Sequence, residues 1–174
     1  MLKVFNSNET SGLKWIWVAV LTFVLDQATK LWVIGAFELY ERVAVTSFFN
    51  LTYVRNYGAA FSFLSDAGGW QRWFFTIIAF AVSVMLLYWL RKNDASQRLQ
   101  NIAFALVLGG ALGNVIDRLY HGFVIDFLDF YVGNYHWPAF NVADSAICVG
   151  AGLLIWDAFI NKPEQNSDTA KAGK

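Results

Sequence analysis

The residues of this sequence best suited to chemistry are three aspartates in its C-terminal third. Asp126 and Asp129 lie three residues apart in a connection without Lys or Arg, and Asp144 lies three residues after Asn141. Two carboxyl groups held together away from water do not both ionise readily, so one keeps a proton while the other acts as a base. Such a pair can activate water for attack on an amide carbon. The same pattern also fits surface acids, or a cap formed by Asn141 on a following helix.

Ionisable residues also interrupt the first long apolar run, where they are costly to bury. Asp26 and Lys30 stand four residues apart with the acid first, which is the favourable order for an ion pair within a helix. This spacing leaves two interpretations open: a structural pair that faces the other helices, or a direct role in substrate binding.

A second polar stripe lies in the third apolar run. Gly110, Asn114 and Arg118 are spaced by four residues and therefore share one face of a helix. Glycines four residues apart also let another helix come close. Arg118 could orient a carboxylate, bind a lipid phosphate or a carbonyl group, or pair with Asp117.

Other chemistries find less support in the sequence. The HExxH motif of zinc proteases does not occur, and His121 and His136 are isolated residues of predicted loops. The single Cys148 excludes an intrachain disulfide and a multi-cysteine metal site, and its apolar surroundings predict a packed thiol. We therefore expect neither a metal nor another cofactor. A small proton-coupled transporter or channel is the main alternative, because acids within a membrane also mark proton relays.

These residues belong to a strongly apolar chain. Of its 174 residues, 57% are hydrophobic and 15% are charged, whereas about a quarter of an average soluble domain is charged. Four apolar runs are long enough to cross a membrane, and they predict helices at about Leu13–Ile34, Trp70–Leu90, Leu99–Leu119 and Phe140–Ile160. The β-branched and aromatic residues of Val43–Val54 predict a small sheet. The predicted fold class is thus a membrane all-α bundle of four transmembrane helices with a small β element.

The distribution of Lys and Arg predicts how the chain lies in the membrane. These residues concentrate near both termini and in the short turn after the second span, so both termini are expected in the cytoplasm and both long connections outside. We predict one membrane domain over residues 1–162 and a disordered cytoplasmic tail over 163–174. The formal net charge of zero gives no basic field for nucleic acid.

Several strings in the sequence resemble the motifs of the bacterial lipoprotein signal peptidase (signal peptidase II) family. They occur in the order and with the gaps of that family, and they cover the chain up to Ile160. The strings are Asp26-Gln-Ala-Thr-Lys30, Asn56-Tyr-Gly-Ala-Ala-Phe-Ser62, Gly109-Gly-Ala-Leu-Gly-Asn-Val-Ile-Asp-Arg118, Val124-Ile-Asp-Phe127 and Phe140-Asn-Val-Ala-Asp-Ser145.

This resemblance implies an inner-membrane aspartic endopeptidase with a periplasmic β-cradle and an active site on the periplasmic side. Its substrate would be a prolipoprotein that is cut immediately before a cysteine carrying a diacylglyceryl group. The resemblance implies Asp126 and Asp144, rather than Asp129, as the catalytic pair. The implied pocket and supporting residues are Asn56, Asn114, Arg118, Asn141, Asp26, Lys30 and Gly110. We expect a monomer whose partners are the lipidated substrate and membrane lipids.

Overall fold

The computed structural model of the chain describes residues 11–58 and 68–160. Within these ranges, four helices are long and apolar enough to cross a membrane, which confirms the predicted bundle. A short 3-10 turn, Gly12–Trp15, precedes the first helix. The elements are α1 (Ile16–Ala36), β1 (Arg42–Thr46), β2 (Phe49–Asn56), α2 (Trp70–Lys92), α3 (Arg98–Tyr120), β3 (Val124–Val132), β4 (Tyr135–His136) and α4 (Val142–Ile160).

The helices begin and end close to the predicted positions. The largest difference is at the start of α1, which begins at Ile16 because the residues before it form the 3-10 turn. Helix α2 follows Gly69, whose positive φ of 98° suits a residue without a side chain. The predicted tail at 163–174 lies outside the described residues.

Helix α3 is the centre of the bundle and packs against the other three helices. Of its most apolar stretch, 61% is buried inside the protein, against 28%, 22% and 17% for α1, α2 and α4. Glycines allow this close packing: a Cβ atom at Gly109 would lie 2.5 Å from the carbonyl oxygen of Ala19, and one at Gly110 would lie 2.5 Å from that of Ala143. The small-residue face of α3 therefore sets the distances from α3 to α1 and α4.

The β element is larger than predicted. The expected strands occur as β1 and β2, but β3 and β4 extend them into an antiparallel sheet with the order β1-β2-β3-β4. The segment that forms β3 was predicted as a loop connection. Its sequence, VIDFLDFYV, is rich in β-branched and aromatic residues that favour strands.

Two contacts fix the sheet against the bundle. Val33 at the end of α1 packs in a buried apolar cluster with Tyr53 of β2 and with Ile125 and Phe127 of β3. Just before α4, the backbone N–H groups of Phe127 and Leu128 donate to the carbonyl oxygen of Phe140 at 3.0 and 2.8 Å. Strand β3 therefore lies directly beside the start of α4.

Candidate active site

Asp126 projects from β3 and is almost completely buried, with 2% of its surface exposed. In the β2–β3 ladder it lies opposite Val54, so Asn56, two residues further along β2, shares its face of the sheet. The Asn56 side-chain amide donates to Oδ2 of Asp126 at 2.9 Å. The sheet register therefore brings together two residues that are 70 positions apart in the sequence.

Asp144 projects from the first turn of α4, and Asn141 caps that helix. The backbone N–H of Asp144 donates to Oδ1 of Asn141 at 2.9 Å, and the backbone N–H of Asn141 donates to Oδ2 of Asp144 at 3.3 Å. This reciprocal pair is a capping box, in which two otherwise unpaired N–H groups are satisfied. Because α4 begins at Val142, Asn141 is its cap and Asp144 its third residue, as the spacing of three allowed.

Asn141 also connects the two acids. Its side-chain amide donates to Oδ1 of Asp126 at 2.7 Å, while its backbone N–H and side-chain carbonyl bind Asp144. Asn141 is fully buried. The structure therefore connects the carboxyl groups of Asp126 and Asp144 through hydrogen bonds to one asparagine, at the junction of β3 and α4.

A second asparagine connects Asp144 to the buried charges of α1. The side-chain amide of Asn114 donates to Oδ1 of Asp144 at 2.8 Å, and Lys30 Nζ donates to Oδ1 of Asn114 at 3.0 Å. Lys30 also forms the predicted ion pair with Asp26, at 2.8 Å. Both ends of this pair are buried, so neither contacts the cavity beside the acids.

The surroundings of Asp126 favour its protonated form. Burial, and secondly repulsion from Asp144, raise the pKa of Asp126 to about 8, although hydrogen bonds from Asn56 and Asn141 and the charge of Lys30 act in the opposite direction. At neutral pH this carboxyl group therefore holds a proton. A buried acid that keeps its proton beside a second carboxyl group is the arrangement that divides acid and base roles.

A cavity of about 280 Å³ opens beside Asp144, and Asp126 lies behind Asn56 and Asn141, to which it is hydrogen-bonded. Asn56, Asp144 and Ser145 are polar residues of the cavity lining, and most of the remaining wall is apolar. The lining residues are Asn56, Trp137, Pro138, Ala139, Phe140, Asp144, Ser145 and Cys148. Cys148 is exposed at this wall, so the prediction of a packed thiol is wrong.

Arg118 approaches the site from α3 and is buried. Its guanidinium donates to the carbonyl oxygen of Gly58 at 2.9 Å and lies 5.5 Å from the ring of Phe75. It also donates to the carbonyl oxygen of Asn114 at 3.3 Å, so the structure provides the contacts to carbonyl groups that the sequence left open. Asp117 turns away and binds Lys30 at 2.8 Å, since adjacent helical residues do not face each other. The described part of the Asn56–Ser62 motif ends at Gly58.

Asp129 lies in the sheet, away from the pair. Its carboxylate accepts a hydrogen bond from the Asn50 side chain at 2.9 Å and lies 2.8 Å from Nδ1 of His136. His136 is thus a residue of β4 with a buried partner, and its description as an isolated loop residue is wrong. Asp129 has the environment of a structural acid that joins β2, β3 and β4.

The fold and the site define the class of the protein. A four-helix bundle of membrane-spanning length carries two carboxyl groups, joined through an asparagine, at one end. Comparisons with known proteins agree with this description. The family model of signal peptidase (SPase) II matches residues 18–160.

Similar proteins cover nearly the whole chain. The lipoprotein signal peptidase of Alteromonas mediterranea is 60% identical over 176 residues, which cover 99% of this chain and 95% of that protein. That of Shewanella oneidensis is 60% identical over 161 residues, or 92% of this chain and 95% of the relative. A bacterial membrane enzyme solved by the in meso method at 2.3 Å resolution superposes with a TM-score of 0.76 and 33% identity, covering 87% of this chain and 93% of that one.

The chain belongs to the signal peptidase II family. It is therefore a multi-pass membrane protein and a peptidase. This membership favours the peptidase over the transporter or channel that the buried acids alone left open.

Proposed function

We propose that this peptidase is an aspartic endopeptidase of the bacterial inner membrane that removes the signal peptide from diacylglyceryl-modified prolipoproteins. It cuts immediately before the lipidated cysteine. The observation that carries the aspartic mechanism is the pairing of Asp126 and Asp144 through Asn141. Relatives with 60% identity that are named lipoprotein signal peptidases support the substrate class.

In the proposed mechanism the two acids have different roles. Asp144 lines the cavity and accepts hydrogen bonds from Asn114 and from the backbone of Asn141, both of which stabilise a carboxylate. It takes a proton from a water molecule as the water oxygen attacks the carbonyl carbon of the scissile bond. Asp126 holds the second proton, stabilises the developing oxyanion and then assists the departure of the amide nitrogen.

The layout of the molecule suits a lipidated substrate. The cavity wall beside Asp144 is largely apolar and includes Trp137 and Phe140. The acyl chains and the apolar signal helix can stay in lipid while the scissile bond reaches the end of the bundle, and such positioning supplies a large part of the rate enhancement. We propose that the enzyme acts as a monomer, with both termini in the cytoplasm and the site on the periplasmic side.

Mass spectrometry of a lipidated prolipoprotein incubated with purified enzyme tests this function. The wild type should release the signal peptide, whereas Asp126→Asn and Asp144→Asn should each lower the rate by at least about 100-fold, the scale of lost acid or base catalysis. Asp129→Asn is the matched control, because it changes an acid of the same strand outside the pair. Normal cleavage by either variant of the pair would reject the proposed mechanism.

Chelation provides a second test. The described part of the chain offers no group of three or more His, Cys, Asp or Glu side chains placed to hold a metal ion. We therefore expect cleavage to continue in EDTA at the untreated rate. Loss of activity that added zinc restores would show that the two acids do not act alone.

A further inference from the structure

A cluster of three buried charges lies beside the two acids. Lys30 of α1 lies 2.8 Å from Oδ2 of Asp26 and 2.8 Å from Oδ2 of Asp117, and all three side chains are at most 1% exposed. The third ammonium hydrogen goes to Oδ1 of Asn114, at 3.0 Å. An ammonium group has three donors, so Lys30 is fully satisfied and has one fixed orientation.

Each carboxylate of this cluster also holds the backbone directly before one of the paired acids. Oδ2 of Asp117 accepts the N–H of Ile125 at 3.2 Å, and Ile125 precedes Asp126. Oδ1 of Asp26 accepts the N–H of Ala143 at 2.9 Å, and Ala143 precedes Asp144. One ammonium group thus joins two carboxylates, and each carboxylate accepts the backbone N–H of the residue before one of the two acids.

A third connection reaches the Asp144 side chain itself. Because Lys30 donates to the carbonyl oxygen of the Asn114 amide, the NH₂ group of that amide must point the other way. It donates to Oδ1 of Asp144 at 2.8 Å. Lys30 is therefore connected to Asp144 in two ways: through Asp26 to the backbone before Asp144, and through Asn114 to the Asp144 carboxylate.

Stability alone gives a weak reason for such a cluster. Removing charges from water costs about as much as their attraction returns, and well-packed apolar residues often stabilise a protein equally well. Apolar side chains in these places could not accept the N–H groups of Ile125 and Ala143. The contacts made by the cluster therefore favour a role in holding the backbone of the site in place.

We propose that Asp26, Lys30 and Asp117 are positioning residues that fix the separation and direction of the two catalytic acids through the amides of Ile125 and Ala143. The inference rests on the proposed function, in which Asp126 and Asp144 perform the chemistry. It gives Asp117 a role that the sequence did not suggest. It also gives the Asp26–Lys30 pair a role other than substrate contact.

The two carboxylates use their oxygens differently, and this difference supplies a sharp test. In Asp117 a single oxygen accepts from both Lys30 and Ile125, so the carbonyl of an Asp117→Asn variant can keep both contacts. In Asp26 the contacts to Lys30 and Ala143 fall on different oxygens, so Asp26→Asn must lose one of them. Both substitutions remove one negative charge and leave one buried ion pair, so they are matched electrostatically.

The experiment measures kcat, KM and thermal stability of purified variants with a lipidated prolipoprotein peptide. Asp26→Asn and Asp117→Ala should lower kcat by about 100-fold, because a small misplacement of reacting groups has an effect of that size. KM should change by no more than about threefold. Asp117→Asn should lose less than about tenfold. Asn101→Ala is the control: Asn101 is equally buried on α3 and donates to the carbonyl oxygen of Asp94 at 2.8 Å, so Tm should fall while kcat stays.

A second readout follows the hydrogen bonds directly. NMR of enzyme with isotope-labelled isoleucine and alanine should show the amide signal of Ile125 changed in Asp117→Ala and that of Ala143 changed in Asp26→Asn. If Asp117→Ala does not fold, the comparison of Asp26→Asn with Asp117→Asn still decides, because each keeps an ion pair. Equal kcat in these two variants would overturn the proposal, as would a loss of kcat in Asn101→Ala as large as in Asp26→Asn.

The outcomes separate this proposal from the proposed function. A wild type that leaves the lipidated peptide intact, or an Asp126→Asn variant that cuts it normally, rejects the function. An active wild type with inactive Asp126→Asn and Asp144→Asn variants, together with unaffected Asp26→Asn, rejects only the positioning role.

Discussion

The side-chain amide of Asn141 donates to Oδ1 of Asp126 at 2.7 Å, from a residue that also caps the helix carrying Asp144. Asn141 therefore has two separable tasks. As a cap it fixes where α4 starts, and as a donor it holds Asp126 and lowers the pKa of that carboxyl group against the effect of burial.

Substitution of Asn141 by serine should separate these tasks. Both substitutions remove the buried amide, but Asn and Ser cap helices about equally well, so Asn141→Ser should be more stable than Asn141→Ala by about 1 kcal/mol. Both variants lack the donor to Asp126, so both should lower kcat by up to about 100-fold. Peptide cleavage and thermal unfolding of the two variants, measured side by side, check this. An Asn141→Ser enzyme with wild-type kcat would show that the donor does not matter.

The pKa of Asp126 predicts how activity depends on pH. Its pKa is raised from the ordinary aspartate value to about 8, so the proton needed by the acid is present at neutral pH and is lost as the pH rises through about 8. A plot of kcat/KM against pH should therefore fall on the alkaline side in that region. Removal of the Asn141 donor raises the pKa further, so Asn141→Ser should move the fall to higher pH. An unchanged rate up to pH about 10, where tyrosines titrate, would contradict this assignment.

The same pKa predicts a trend in stability. The folded protein binds the Asp126 proton more tightly than the unfolded chain, whose carboxyl group titrates near pH 4. The contribution of Asp126 to the free energy of unfolding is therefore greatest below about pH 4. It is lost as the pH rises towards about 8. Thermal unfolding over this range should show a smaller decline in Asp126→Asn than in the wild type. Equal declines would mean that Asp126 does not hold the proton.

The helices could be predicted from the sequence because each is a long apolar run, which is a local signal. The site depends on contacts that no local pattern contains. Strand β3 is stabilised by β2, about 70 residues earlier, and its two aspartates are of a residue type that is rare in strands. The resemblance to a family, and not spacing, separated Asp126 from Asp129.

Asp117 shows a different limit of sequence reasoning. Its neighbour Arg118 was considered as its partner because the two are adjacent in sequence, but adjacent positions on a helix point in different directions. Asp117 follows Asn114 by three residues and Gly113 by four, so it lies on the side of α3 that meets α1. That spacing was a usable signal, although only the packing of α1 on α3 identifies Lys30 as the partner.

Substitution of Asp129 should lower the stability of the protein but leave its catalytic rate nearly unchanged. Asp129 is 3% exposed and binds the buried Asn50 and the partly buried His136, so Asp129→Ala removes the acceptor of Asn50 and should lower the stability by about 1–3 kcal/mol. Asp129→Asn keeps an acceptor for Asn50 and should lose less. In both variants kcat per folded molecule should stay near the wild-type value. A large loss of kcat in Asp129→Asn would mean that the wrong aspartate of β3 was assigned to the pair.

Gly110 should be among the positions least tolerant of a single added methyl group. A Cβ atom there would lie 2.5 Å from the carbonyl oxygen of Ala143 and 2.8 Å from Cγ1 of Ile147, so α3 and α4 would have to separate. Overpacking of this kind costs about 1–3 kcal/mol. The displaced residue, Ala143, precedes Asp144, so Gly110→Ala should lower kcat as well as Tm.

Gly152 provides the matched control for this prediction. It lies in α4, and a Cβ atom built on it meets nothing within 4 Å. Gly152→Ala should therefore leave kcat unchanged and raise Tm slightly, because alanine is favoured over glycine within a helix by up to about 1 kcal/mol. Thermal unfolding and cleavage assays on both variants decide the matter. If Gly110→Ala behaved like Gly152→Ala, close contact of α3 with α4 would not be what places Asp144.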